Sequence, residues 1–157
     1  MKGNVRVIAA LNEALAEELR AINQYFLHSE MCENWGYEAL SKFIKKQSID
    51  EMKHAEELIE RILFLDATPS MTEPMQINIG KNVKEQLAND LALELGAVKM
   101  YNDSVKLARD EGDNASSELL RDILKDEEEH GDWLEAQLFI IGEAGYERYL
   151  ARQMSKD

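Results

Sequence analysis

With 157 residues, the chain has the length of one compact domain with a sizeable core and is short for two. Eight glycines and two prolines are about half the usual share, which disfavours turn-rich all-β folds. A net charge of −13 argues against nucleic acid or an anionic membrane surface as partner and favours cations.

From Val5 to Asn34 the apolar residues Ile8, Leu11, Leu15, Ile22 and Tyr25, with Glu18 among them, fall on one helical stripe, which predicts a helix over 5–34. After Gly36 a second run carries Ile44, Leu58, Ile62 and Leu65 at the same kind of spacing and predicts a helix over 38–65. The segment 66–81, with Pro69 and Pro74, has no helical period. Its extended reach of roughly 50 Å matches the length of a helix of nearly 30 residues, so it is expected to cross from one end of a bundle to the other. A third stripe, Val83, Leu87, Leu91, Val98, Tyr101, Val105 and Ala108, predicts a helix over 82–110 that stops at Gly112. A fourth, with Leu120, Ile123, Leu134 and Ile141, predicts a helix over 114–141 that stops at Gly142 and Gly145. A short amphipathic helix over 146–153 ends the series. The expected fold is all-α: one domain over 1–157, a four-helix bundle with a long crossover between helices two and three and a short C-terminal helix.

The chain also repeats itself. Glu18-Leu19-Arg20-Ala21-Ile22-Asn23-Gln24-Tyr25 aligns with Glu94-Leu95-Gly96-Ala97-Val98-Lys99-Met100-Tyr101 at an offset of 76, and Asp50-Glu51-Met52-Lys53-His54 aligns with Asp126-Glu127-Glu128-Glu129-His130 at the same offset. Two helical hairpins related by a two-fold axis leave helices two and three parallel, which again requires a crossover. Each half supplies a Glu on its first helix and Glu-x-x-His on its second: Glu18, Glu51, His54, Glu94, Glu127 and His130. Residues at i and i+3 leave one helix face about 5 Å apart, so each Glu-x-x-His can hold one ion. Any single Glu in so acidic a chain is more often a solvated charge, but four carboxylates on apolar stripes would repel one another and take up protons unless cations neutralised them. Two divalent ions balance four carboxylates. Carboxylate and imidazole donors without thiolate favour iron or manganese.

The pattern resembles that of the ferritin-like di-iron carboxylate proteins, with a Glu from each of two helices and Glu-x-x-His from the other two. With Met1-Lys2-Gly3, Ala21-Ile22-Asn23-Gln24-Tyr25-Phe26, Ser48-Ile49-Asp50-Glu51-Met52-Lys53-His54-Ala55 and Asp126-Glu127-Glu128-Glu129-His130, the chain closely resembles the bacterioferritins over nearly its whole length. The resemblance implies iron storage and detoxification. Two iron ions per subunit would be bridged by Glu51 and Glu127, with Glu18, His54, Glu94 and His130 as terminal ligands. Fe(II) would be oxidised with dioxygen or peroxide, and ferric mineral deposited in a hollow shell of 24 subunits built from two-fold dimers, with a ferredoxin-type partner reducing the core.

Met52 lies about 130° from the metal direction on its helix and shares an outward stripe with Ile49, Ile59 and Leu63, which predicts cover by another subunit. On spacing alone interface packing is the commoner reading; the resemblance implies that Met52 and its two-fold mate are the axial ligands of a haem b shared between two subunits. Tyr25 and Tyr101 each follow a ligand Glu by seven residues, so both can lie one layer from the metals and bond their carboxylates, or serve as core tyrosines. Trp35 and Trp133 read as packing residues, His28 as solvated, and Cys32 as unactivated, with no basic partner in sequence. Where some family members carry an inner-surface His this chain has Lys46, beside Asp50, which puts the auxiliary inner iron site in doubt.

Among other functions, manganese catalases use a similar site, and Met52 argues against that reading. The radical subunits of ribonucleotide reductase need longer chains, and rubrerythrins need cysteine pairs. The small DNA-protecting ferritins bind metal between subunits, and a purely haem-carrying shell subunit would be expected to lose these six residues. The single cysteine, the absence of an apolar h-region at Met1–Arg6 and of any uncharged apolar run of about 18 residues predict a cytoplasmic protein without a membrane segment.

Overall fold

The computed structural model describes residues 1–155; Lys156 and Asp157, the end of the expected 1–157 domain, lie outside the described residues. It contains α1 Val5–Asn34, α2 Glu38–Phe64, α3 Val83–Asp110, α4 Asn114–Ala144 and α5 Tyr146–Gln153, with no strand among the described residues. Three of the long helices begin on side-chain caps. Asn4 accepts from the Arg6 and Val7 amides, Asn82 from Glu85 and Asp113 from Ser116, satisfying amides that have no partner within the helix. The second helix ends one residue earlier than expected, at Phe64, and the third begins one later because Asn82 is its cap.

The fourth helix is the larger correction. It runs past the expected stop at Ile141 to Ala144, because Gly142 sits within the helix, where a side chain would meet open space, and only Gly145, at φ 94°, turns the chain. That left-handed backbone is easy for glycine and strained for other residues.

The crossover can be followed by its bonds to α1. The Ser70 amide donates to Asn12 Oδ1 at 2.8 Å, the Asn78 amide to Gln24 Oε1 at 3.0 Å and the Gly80 amide to His28 Nε2 at 3.1 Å. Successive residues of the segment thus meet successively later residues of α1, which carries the chain along the bundle and leaves α2 and α3 parallel. Gly80 is required by close approach: a Cβ there would lie 2.3 Å from the Gln86 amide nitrogen.

This route overturns the expectation that His28 is solvated. His28 is fully buried under the crossover: Nε2 accepts from Gly80, which leaves Nδ1–H to donate to Asp90 Oδ1 at 2.9 Å, and Gln24 Nε2 donates to the same carboxylate at 2.8 Å. A helical stripe counts only the helices around a core, whereas here a non-helical segment covers the outer side of α1.

α1 packs along α2 and α3 along α4, and the two hairpins meet chiefly through α1 and α3. Two apolar clusters fill the interior. One holds Leu11, Leu15, Leu58, Ile62, Tyr101, Leu120 and Ile123; the other holds Tyr25, Leu40, Ile44, Leu87, Leu134 and Ile141. Phe43 stacks on Trp133 with ring centroids 4.2 Å apart, Trp35 meets Tyr37 edge-on, and buried Cys32 donates to Gln86 Oε1. Burial pushes the Cys32 thiol up to about 12. None of the described helices is long and apolar enough to cross a membrane.

Candidate metal centre

Each of the four long helices sends polar side chains into the gap between the two apolar clusters: Glu18 from α1, Glu51 and His54 from α2, Glu94 from α3, Glu127 and His130 from α4. All six are buried, the most open being His130 at 8%. Their ligating atoms form two groups, Glu18, Glu51, His54 and Glu127, and Glu51, Glu94, Glu127 and His130, within each of which every donor lies within 4.8 Å of the others. Glu51 and Glu127 belong to both. The two groups are related by the 76-residue repeat, so the internal two-fold of the sequence is also a two-fold of the site.

Within the cluster, His54 Nδ1 lies 3.3 Å from Glu127 Oε1, 3.4 Å from Glu18 Oε2 and 3.7 Å from Glu51 Oε2. His130 Nδ1 lies 2.8 Å from Glu51 Oε1 and 3.6 Å from both Glu94 Oε1 and Glu127 Oε1. None of these contacts has hydrogen-bond geometry. Glu18 Oε2, both oxygens of Glu51, Glu94 Oε2, Glu127 Oε1 and the two Nδ1 atoms are buried without a hydrogen-bond partner. Seven such atoms facing one another would each cost on the order of 1–3 kcal/mol, a charged atom more, which a folded protein does not carry without compensation. Cations held here would supply it.

Four of the six side chains also face a polar group on the side away from the cluster. Asp126 Oδ2 lies 2.8 Å from His54 Nε2, and Asp50 Oδ2 lies 3.6 Å from His130 Nε2. A carboxylate at Nε2 favours the proton there and turns the Nδ1 lone pair toward the cluster, the arrangement a metal-bound histidine needs. The Tyr101 hydroxyl donates to Glu18 Oε1 and the Tyr25 hydroxyl to Glu94 Oε1. Each tyrosine therefore bonds the Glu of the other half, seven residues of spacing having placed it near its own. Sequence reasoning missed Asp50 and Asp126 as partners of the histidines. The available signal was that each precedes the Glu of a Glu-x-x-His and that the two align in the repeat.

Burial, and next the neighbouring Glu18 carboxylate, push the Glu51 and Glu127 carboxyls well above the usual carboxylate range. Burial disfavours the imidazolium of His54 and His130, but the surrounding carboxylates outweigh it and hold both above the usual histidine value. The cluster thus favours keeping protons, and a metal bound there would have to displace them. Outside the histidines an open depression of about 270 Å³ is lined by Asp50, Lys53, Glu57, Asp126 and Glu129 as well as His54 and His130.

Met52 stands apart from this cluster and is 48% exposed, with Ile49 and Leu63 similarly open on the same helix. Ile59, expected on that stripe, is instead half-buried against the core. Lys46 is exposed.

The family model of the ferritin-like domain matches residues 8–141. The chain is 42% identical to the bacterioferritin of Mycobacterium leprae over 156 residues, covering 99% of this chain and 98% of that one. It is 44% identical to the bacterioferritin of Brucella melitensis over 149 residues, 95% and 92% of the two chains. To the bacterial ferritin of Synechocystis it is 43% identical over 156 residues, 99% and 100% of the two.

Proposed function

The chain belongs to the bacterioferritins, a family of ferritin-like iron-storage proteins, and on that premise we propose that it is a ferroxidase that oxidises Fe(II) and stores the product as ferric mineral. The observation that carries this reading is the set of seven buried, unpartnered donor atoms converging from six side chains. Two divalent cations would satisfy those atoms and balance four carboxylates. The donor set alone suits manganese as well as iron; family membership decides for iron.

In this reading Glu51 and Glu127 are shared between two metal positions, Glu18 and His54 complete one, and Glu94 and His130 complete the other. Tyr25 holds Glu94 in place. The bound iron supplies electrons to dioxygen or peroxide. The protein's part is to strip water from Fe(II), to set two metal positions side by side, and to release the protons that Glu51, Glu127 and the histidines carry when metal is absent. Asp126, bonded to the outer nitrogen of His54, favours a proton there during that exchange, and Asp50 stands beside the outer nitrogen of His130. The acidic depression beside His54 and His130 gives cations an attractive surface next to the centre.

The whole 1–157 chain acts as one ferritin-like domain in the cytoplasm, in two-fold dimers that assemble into a 24-subunit shell. Met52 and its two-fold mate would hold a haem b between subunits, a reading supported by a half-exposed Met flanked by exposed Ile49 and Leu63. A ferredoxin-type partner reduces the stored mineral.

Aerobic Fe(II) addition followed by stopped-flow absorbance tests the ferroxidase assignment. Wild type is expected to show a fast phase saturating at two Fe(II) per subunit, which Glu127→Ala removes. An unchanged fast phase in that variant would overturn the assignment.

A further inference from the structure

Glu18 and Glu94 are treated alike in one respect: each has one carboxylate oxygen held by a tyrosine and the other buried without a partner among the remaining ligands. Both tyrosines are fully buried, one in each apolar cluster, so neither ring can swing away without disrupting its cluster. Tyr25 stands two turns after Glu18 on α1, and Tyr101 two turns after Glu94 on α3. Each helix thus gives one carboxylate to the centre and one hydroxyl to the carboxylate of the other helix. The result is a reciprocal brace between α1 and α3.

We propose that Tyr101 is a positioning residue for the metal position made by Glu18 and His54: by holding Glu18 Oε1 it presents Oε2 alone to that position, and it tunes that position independently of the one made by Glu94 and His130. The proposal rests on the metal-centre reading above. An oxygen that accepts a phenol proton is the weaker donor to a cation, and rotating the carboxylate to chelate with both oxygens would strain that bond, so the phenol biases Glu18 toward donating through Oε2. A ring present only to fill space would need no hydroxyl, and a buried hydroxyl is retained at a cost unless it is bonded. Its bond is directed at a ligand. Removing such an outer partner typically weakens a metal site by ten- to a hundredfold.

The test uses Co(II) as the probe, titrated into metal-free full-length protein and followed by ligand-field absorption and calorimetry. Wild type is expected to take up two Co(II) per chain at the centre. Tyr101→Phe should weaken one of the two about tenfold and leave the other unchanged. Pairing with histidine variants identifies which: Tyr101→Phe should add a tenfold loss to His130→Ala, where only the Glu18–His54 position is left, and add little to His54→Ala, where that position is already impaired. Tyr25→Phe should behave in the reverse manner. Tyr101→Leu, which removes the hydroxyl but fills the space differently, should give the same selective loss and covers the case in which the Phe variant does not fold.

Equal weakening of both positions would make Tyr101 a packing residue and overturn the proposal. Unchanged affinity at both would overturn it too, while two Co(II) bound by wild type would leave the metal centre standing. Failure of wild type to bind Co(II) at this centre would instead overturn the metal-centre reading and the proposal together.

Discussion

Replacing Glu51 by Gln should make the metal-free protein more stable while abolishing its metal centre. Glu51 is fully buried, neither of its oxygens has a hydrogen-bond partner, and its carboxyl is pushed well above the ordinary value of 4.5 by burial and by Glu18. A carboxyl whose folded-state value is raised above 4.5 costs stability that grows as pH climbs above 4.5, with a limiting slope of about 1.4 kcal/mol per pH unit until the folded-state value is passed. Gln has the same shape and no such cost. For a chain of this length each kcal/mol so recovered corresponds to a melting temperature roughly 2–4 °C higher. The sign follows from the raised pKa. The carboxyl's contribution is intact below pH 4.5 and is lost as pH rises through the folded-state value, so the advantage of Gln should vanish near pH 4.5 and grow toward pH 7. Thermal unfolding of metal-free wild type and Glu51→Gln between pH 4.5 and 7.5, at one scan rate, measures this directly. With Co(II) the order should invert, because wild type gains binding energy by mass action and the variant, having lost a ligand of both positions, does not. A metal-free variant less stable than wild type at pH 7, or a gain independent of pH, would refute the reasoning.

Asp126→Ala should weaken the metal position at His54 by about tenfold, seen as a split in the Co(II) titration, because the 2.8 Å bond that orients His54 is lost. Asp50→Ala, whose partner distance is 3.6 Å, should cost less at His130. Met52→Leu should remove haem absorbance in protein expressed with ample haem, while gel filtration still shows the assembled shell and the fast phase of Fe(II) oxidation survives, since Met52 shares no ligand with the buried cluster. His28→Leu should destabilise the protein by about 2–4 kcal/mol in thermal unfolding, because it leaves the buried Asp90 carboxylate and the Gly80 amide without their His28 bonds.

The long helices were legible because their apolar residues recur at steps of three and four with little interruption, and the crossover because proline and a lost period mark it. The six cluster residues were legible for a different reason: the repeat places Glu and Glu-x-x-His at matching positions in both halves, and an offset of 76 restricts which of the 31 acidic residues can meet. What escaped depends on contacts between segments remote in sequence. Period and spacing cannot show that the crossover lies over α1, and so His28 reads as exposed. They put Tyr25 near Glu18, its own helix mate, whereas packing of α1 on α3 hands its hydroxyl to Glu94. The pairing of His54 with Asp126 is likewise a contact between α2 and α4. Gly142 misled because a glycine inside a helix reads the same in sequence as one that ends it. The left-handed turn belongs to Gly145.

If six side chains build two adjacent metal positions sharing Glu51 and Glu127, anomalous diffraction at the iron edge from crystals soaked anaerobically in Fe(II) should show them. Two iron peaks per subunit are expected between the four long helices, one in contact with Glu18 and His54, the other with Glu94 and His130, and both in contact with Glu51 and Glu127. One peak, or iron confined to the acidic surface outside His54 and His130, would contradict it.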